Sequence, residues 1–200
     1  VGILVPTGRL SPSECRQIAD LADAYSGGEI RLTVEQNIIL PNVDGAKIDD
    51  LLAAPALNGN SRLKATPGKI EGNLVSCTGA QFCGLALIET KQNAERMIQE
   101  LENLVEVDYP IRIHWTGCPN SCGQVQAADI GIMGAPARKE VDGKNVAVPG
   151  CKIFVGGRIG EDAHLALEPV KDKVPLDDLL PELVDILKTE FGARDKIKSI

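Results

Sequence analysis

The sequence predicts an α+β protein built from two units, and three observations carry that reading. Residues 1–60 alternate strand-like and helix-like patterns. The stretch from Pro55 to Gly72 then loses all periodicity and carries Asn58-Gly59-Asn60 and Pro67-Gly68, turn-forming runs that mark a linker. Beyond it two cysteine pairs, Cys77 with Cys83 and Cys118 with Cys122, interrupt a further series of helices and strands. The expected organisation is a small half-module over residues 1–60 and a metal-binding unit over 61–200.

Val1 to Val5 is an apolar strand stopped by Pro6-Thr7-Gly8. Ser11-Pro12-Ser13-Glu14 has the form of a capping box with proline at the first helical position. Ile18, Leu21, Ala22 and Tyr25 follow at helical spacing, and Gly27-Gly28 ends the helix. Cys15 falls on this helix and is expected in the core. Ile30, Leu32 and Val34 alternate with Arg31, Thr33 and Glu35, a strand with one polar face. Ile38 to Leu40 is the next strand, stopped by Pro41, and a short helix spans Ala46 to Ala54. Strand, helix, strand and short helix make half of a ferredoxin-like module. The polar face with Arg31, Thr33, Gln36 and Asn37 is expected to meet solvent.

Asn73 to Ser76 leads into the first cysteine loop. From Leu85, the residues Ile88, Lys91, Ala94, Ile98, Leu101 and Val105 keep helical spacing, which predicts a long helix starting just after Cys83. Lys91 is out of place in that apolar stripe. Ile111, Ile113 and Trp115 alternate with Arg112 and His114, so a strand runs into the second loop. Asp129 to Met133 reads as a short strand closed by Gly134. Val141-Asp142-Gly143-Lys144 reads as a tight hairpin turn. Cys151 to Val155 is a strand that empties into Gly156-Gly157-Arg158-Ile159-Gly160. Leu176 to Phe191 is an amphipathic helix ended by Gly192, and the basic tail Arg194 to Lys198 is expected to fray.

The net charge of −7 argues against a general nucleic-acid binder. No apolar run approaches the roughly 20 residues of a membrane-spanning helix. With 44% apolar residues the chain has ample material for a core. It opens on Val-Gly-Ile-Leu-Val without an initiator methionine, which suggests a fragment.

Six cysteines divide into two close pairs and two single residues, Cys15 and Cys151. That division favours one metal centre and two buried thiols over three disulfides. The spacing is C-x5-C, then a helix and a strand, then C-x3-C. A structural zinc site takes ligand pairs two to four residues apart, which the second pair satisfies and the first does not. A cubane iron–sulfur cluster also takes four thiolates and is larger, which suits wider loops. Glycines at 79, 84, 117 and 123 would let a bulky inorganic group approach the backbone. Spacing favours the cluster and leaves zinc open.

Thr-Gly-Cys118-Pro-Asn-Ser-Cys122, followed by Asp129-Ile-Gly-Ile132, resembles the sirohaem/iron–sulfur signature of nitrite and sulfite reductases. Cys77-Thr-Gly-Ala-Gln-Phe-Cys83 is similar to the upstream half of that site. The flanks His114-Trp115-Thr116 and Ile153 to Gly160 resemble the ferredoxin-dependent nitrite reductases of cyanobacteria, algae and plants more than the sulfite enzymes. The likeness extends over nearly the whole chain, including Arg31-Leu32-Thr33 to Asn37-Ile38.

The resemblance implies a [4Fe–4S] cluster held by Cys77, Cys83, Cys118 and Cys122. It implies that Cys122 also binds the iron of sirohaem, so that one thiolate couples the two centres. Nitrite would be the substrate, reduced ferredoxin the electron donor, and ammonium the product of six one-electron steps. The resemblance also implies a missing N-terminal half of the same protein, with most of the cations that clamp nitrite and the sirohaem carboxylates. Arg158 and Arg31 are candidate carboxylate partners here, Arg138, Lys139, Lys196 and Lys198 candidate ferredoxin contacts, and His114 a hydrogen-bonded structural residue. No catalytic base is assigned. Location would be the chloroplast stroma in a plant or alga and the cytoplasm in a cyanobacterium. Two alternatives remain open: assimilatory sulfite reduction, and a non-catalytic zinc scaffold.

Overall fold

A computed structural model describes residues 1–58 and 61–196. The chain divides into two compact units, Val1–Gly68 and Lys69–Ile200.

The first unit contains β1 (Gly2–Ile3), α1 (Pro12–Tyr25), β2 (Arg31–Leu32), β3 (Ile38–Ile39) and α2 (Ile48–Leu52). The strands form an antiparallel sheet in the order β1-β3-β2. The capping box is complete: the Ser11 hydroxyl accepts from the Glu14 amide at 3.2 Å, and the Glu14 carboxylate accepts from the Ser11 amide at 2.7 Å. Ile18, Leu21 and Ala22 of α1 pack with Ile3, Ile38 and Leu40 in one core. The strand expected over Ile30 to Glu35 is only two residues long, and its chain then turns at Thr33 to Gln36. Leu32 and Val34, expected on a buried face, are 80% and 89% exposed. β2 is an outer strand, and among the described residues of this unit that face is left exposed.

The second unit contains β4 (Leu74–Ser76), α3 (Lys91–Leu104), β5 (Val105–Glu106), β6 (Ile113–Thr116), β7 (Ile130–Val141), β8 (Lys144–Val155), β9 (Lys171–Pro175), α4 (Leu179–Phe191) and β10 (Arg194–Asp195). Five strands form one mixed sheet, β4-β6-β7-β8-β9. β4, β6 and β7 are parallel, whereas β7, β8 and β9 are antiparallel. Ile113 and Trp115, Ile130 and Ile132, and Ile153 share a core with Ile98 and Leu101 of α3 and Leu183 and Leu187 of α4. β6 is buried along its whole length, so His114 is not on the polar face that the alternation suggested. A parallel strand inside a mixed sheet is covered on both faces.

Three further readings change. The helix after Cys83 starts only at Lys91, because residues 84–90 spend their backbone groups elsewhere: the Leu87 amide donates to the Gly117 carbonyl at 2.7 Å. Lys91 is buried at the start of α3, its ammonium 3.1 Å from the Ser76 carbonyl, which explains its place in the apolar stripe. Gly134 does not end β7, which continues to Val141 as one arm of a long hairpin. The turn of that hairpin is as read, with Asp142 and Gly143 at φ of 50° and 72°, the left-handed pair that suits the twist of the arms. The tail is paired rather than frayed where it is described, since β10 lies antiparallel to β5 and Arg194 meets Asp108 at 2.6 Å. Lys198 lies outside the described residues.

The face of the sheet away from α3 and α4 is covered by the chain itself. Residues 117–128 fold back from the end of β6 across its neighbours, and glycines make the close approach feasible. A Cβ on Gly123 would stand 2.1 Å from the Trp115 carbonyl oxygen, and one on Gly131 would stand 2.2 Å from that of Val125. Both obstacles are backbone, which cannot step aside. Gly131→Ala should therefore cost at least about 2 kcal/mol in denaturant unfolding. Gly45→Ala, with no atom within 4 Å of the added carbon, should stay within about 0.5 kcal/mol. Equal effects would show that the segment is not held so tightly.

Candidate metal centre

The two cysteine loops leave the same end of the sheet. Cys77 follows β4 directly and Gly117-Cys118 follows β6 directly, and β4 and β6 are parallel neighbours. The ladder extends one step past the strands: the Cys77 amide donates to the Trp115 carbonyl at 3.0 Å, and the Gly117 amide donates to the Cys77 sulfur at 3.2 Å. The Cys83 end is drawn in as well. The Cys83 amide donates to the Gly79 carbonyl, the Ala86 amide to the Cys83 carbonyl, and Leu87 to Gly117. A Cβ on Gly117 would fall 2.7 Å from that of Ala86, so the two loops touch through their backbones.

Each thiol has its own setting. Cys77 is half-buried, and the Thr90 hydroxyl stands 3.7 Å from its sulfur while donating to its carbonyl at 2.7 Å. Cys83 is half-buried, Cys118 is buried, and Cys122 is exposed. Cys122 sits in a tight turn: the Ser121 amide donates to the Cys118 carbonyl, and the Gln124 amide donates to the Ser121 carbonyl. Ser121 and Gln124, on either side of it, hold left-handed φ of 52° and 55°. Non-glycine residues in that region carry strain of about 1 kcal/mol or more each, held in place by their surroundings.

His114 is one such constraint. It is 7% exposed, on the face of β6 that meets the returning chain, and its Nδ1 lies 2.9 Å from the Gly123 carbonyl. Burial is the main influence on its imidazole and holds the pKa below the ordinary value, with Arg112 acting in the same sense. The carbonyls of Gly123 and Gln124 and the carboxylate of Asp129 oppose that shift.

The donor set suits an iron–sulfur cluster in kind, being four soft thiols from two loops. Among the described residues, no three His, Cys, Asp or Glu side chains converge closely enough for a single metal ion. Both centres need four convergent thiolates, around a single ion at about 2.3 Å in a zinc site and around a larger group in a cubane. The role read into the glycines changes. Gly79, Gly117 and Gly123 are filled on their Cβ side by Thr90, Ala86 and the Trp115 carbonyl. Of the four, only Gly84 faces open space.

Other candidates are placed elsewhere. Arg158 follows the far end of β8 and lines a cavity of about 560 Å³ with Arg112, Asp129 and His164, at the opposite end of β6 from the cysteines. Arg31, in the first unit, pairs with Glu29 at 2.7 Å. Lys139 is 2.5 Å from Asp178, and the Lys196 ammonium bonds to the Glu102 carbonyl. Arg138 is exposed. His114 is the hydrogen-bonded structural residue expected; sequence reasoning missed Thr90 and the Gly134 contact, whose added Cβ would stand 2.4 Å from the Gly117 carbonyl oxygen. A glycine two residues past Ile132 was the available signal, read as a strand stop.

The lone cysteines divide. Cys151 is fully buried and its thiol is pushed up to about 12 by burial. Cys15 is exposed, against expectation, because it lies in the first turn of α1, ahead of the stripe that meets the core. In iron-free protein, iodoacetamide should modify Cys15 and Cys122 quickly and Cys151 only on unfolding, as peptide mapping would report. Rapid labelling of Cys151 in folded protein would contradict its burial.

Comparison with known proteins gives the same division. Residues 1–58 match the nitrite/sulfite reductase ferredoxin-like half domain, and residues 68–196 match the nitrite and sulphite reductase 4Fe-4S domain. The chloroplastic ferredoxin–nitrite reductase of Spinacia oleracea is 52% identical over 193 residues, 96% of this chain and 32% of that protein. The ferredoxin–nitrite reductase of Synechococcus elongatus is 49% identical over 194 residues, 97% of this chain and 36% of that protein. The solved structure of the Mycobacterium tuberculosis NirA protein superposes with a TM-score of 0.82 at 30% identity, over 100% of this chain and 36% of that one. This chain thus spans about a third of the length of the curated relatives it matches.

Proposed function

This chain belongs to the nitrite and sulphite reductase family, and from that premise we propose that it is the cluster-bearing part of a ferredoxin–nitrite reductase. In this reading Cys77, Cys83, Cys118 and Cys122 hold a [4Fe–4S] cluster, and Cys122 is shared with the iron of sirohaem. Reduced ferredoxin supplies electrons and nitrite is converted to ammonium in nitrate assimilation. The observation that carries the reading is the joining of two cysteine loops at one end of parallel β4 and β6, with the Gly117 amide already on the Cys77 sulfur. Relatives named ferredoxin–nitrite reductase, at about half identity, support nitrite over sulfite. By the same likeness the protein works in the chloroplast stroma of a plant or alga, or in the cytoplasm of a cyanobacterium.

When bound, the cluster and the haem store electrons and offer the iron at which the anion is reduced. The chain's own part is to hold and shade the thiolates. The Gly117 N–H donates to Cys77, and such bonds lower the electron density on a ligand sulfur. Burial of Cys118 keeps water from one side of the loop, while the exposure of Cys122 leaves its sulfur accessible to a second centre. Nitrite and the sirohaem carboxylates need cations, and a chain of net charge −7 is poorly supplied with them. The remaining two thirds of the protein, including an N-terminal half, would supply them.

Serine at any of the four paired cysteines should remove iron and labile sulfide from the full-length protein, and Cys122→Ser should also displace the haem bands. Serine at Cys15 or Cys151 should leave both intact. Full-length protein should turn over nitrite faster than sulfite with reduced ferredoxin, and residues 1–200 alone should turn over neither. Loss of the cluster from Cys151→Ser with retention in Cys77→Ser would overturn the ligand set. Zinc in place of iron in the purified protein, or preference for sulfite, would overturn the activity.

A further inference from the structure

His114 is the buried imidazole that the proposed ligand set leaves unused. It sits on β6, four residues before Cys118, and its side chain faces the chain that returns from the cysteine loop. Its partner is the carbonyl of Gly123, the residue after Cys122. A carbonyl only accepts, so Nδ1 carries the proton and donates. The Gly123 Cα is pressed against the Trp115 carbonyl, the group that accepts the Cys77 amide. Gly123 is therefore fixed from both sides, by a hydrogen bond at its oxygen and by backbone at its Cα. The Gly123–Gln124 peptide cannot rotate without breaking the first contact, and Gly123 cannot shift toward β6 without driving atoms into the second. Ser121 and Gln124 hold left-handed conformations around it, and such conformations relax unless something fixes them.

We propose that His114 is the positioning residue for Cys122: its Nδ1–H bond to Gly123 fixes the direction in which the exposed thiolate leaves the loop, and so its fit to the iron it binds. This rests on Cys122 being a ligand. The bond matters more for Cys122 than for Cys118. Cys118 is buried, whereas Cys122 is exposed and its direction rests on the turn backbone on either side of it. The low imidazole pKa accords with a neutral donor in this place. A residue that orients a ligand without touching the metal typically changes metal affinity by about 10- to 100-fold when it is removed.

The test uses full-length protein with its iron loaded, and three substitutions. Asparagine places an amide N–H near the position of Nδ1, glutamine places it near Nε2, and phenylalanine fills the space without a donor. His114→Asn should keep the parental visible and electron paramagnetic resonance spectra. His114→Gln and His114→Phe should shift the haem bands and the cluster midpoint potential and lose iron to a chelator about tenfold faster or more. Circular dichroism of each variant reports the fold separately. If His114→Phe does not fold, the comparison of asparagine with glutamine decides. Equal behaviour of those two would overturn the proposal, as would a parental spectrum, potential and iron-release rate in His114→Phe. If Cys122→Ser keeps the full iron content and the haem bands, Cys122 is not a ligand, and this inference falls with the ligand set. If Cys122→Ser loses them while His114→Gln matches the parent, the ligand set stands and this inference alone falls.

Discussion

The second unit depends on the parallel pairing of β4 with β6. Parallel neighbours send their C-terminal loops out of the same end of the sheet, whereas an antiparallel pair would send them to opposite ends. Cys77 and Cys118 each come one or two residues after such a strand, so pairing alone brings the loops together. The connection between them requires a crossover, and α3 provides it. The helix stays on one face, with Ala94, Ile98 and Leu101 in the core, and the cysteine loops remain at the edge. The long gap between the two cysteine motifs in the sequence is the length of one crossover.

The other face of the sheet carries the fine positioning. A chain can lie this close to a strand only where one partner has no Cβ, and Gly123 and Gly131 provide that. The Trp115 carbonyl is where the constraints meet, since it accepts the Cys77 amide and also forms the surface against which Gly123 is pressed. Moving either loop therefore disturbs the other. Rigid backbone contacts of this kind suit a site whose ligands come from separate loops, because hydrogen bonds alone would leave several loop conformations close in energy.

Local signals were legible and tertiary ones were not. The Ser11 capping box, the Asp142-Gly143 turn and the Gly192 cap follow from residues within a few positions, and all three form. The cysteine pairs were legible because their spacing is itself local. The start of α3 was misread because Leu85 to Ile88 has apolar content that fits a helix, yet its backbone bonds to a distant loop, here Leu87 to Gly117. Gly134 looked like a stop, because a glycine required by distant backbone and one that ends a strand are the same letter. β9 has Val174 as its only apolar residue besides Pro175, so alternation gave no sign of it. The Ile30, Leu32 and Val34 alternation was a sound reading of a strand with an apolar face, but β2 is an edge strand and its apolar face is left bare in this unit.

On the proposed ligand set, the contrast between buried Cys118 and exposed Cys122 would let one short loop supply two kinds of ligand. The three residues between them make a turn tight enough for the Ser121 amide to reach the Cys118 carbonyl, and that turn faces one thiol inward and the other outward. An inward thiol is shielded on several sides and suits a ligand that serves one centre. An outward thiol has a free side, which a sulfur shared between two centres requires. The direction of that free side is set by the residues that follow. Gly123 is fixed between the Trp115 carbonyl and His114, and the chain past Gln124 lies on the sheet where Gly131 admits Val125. On this reading the glycines and the histidine after the motif bear on its chemistry as directly as the cysteines within it, because they decide where the outward sulfur points.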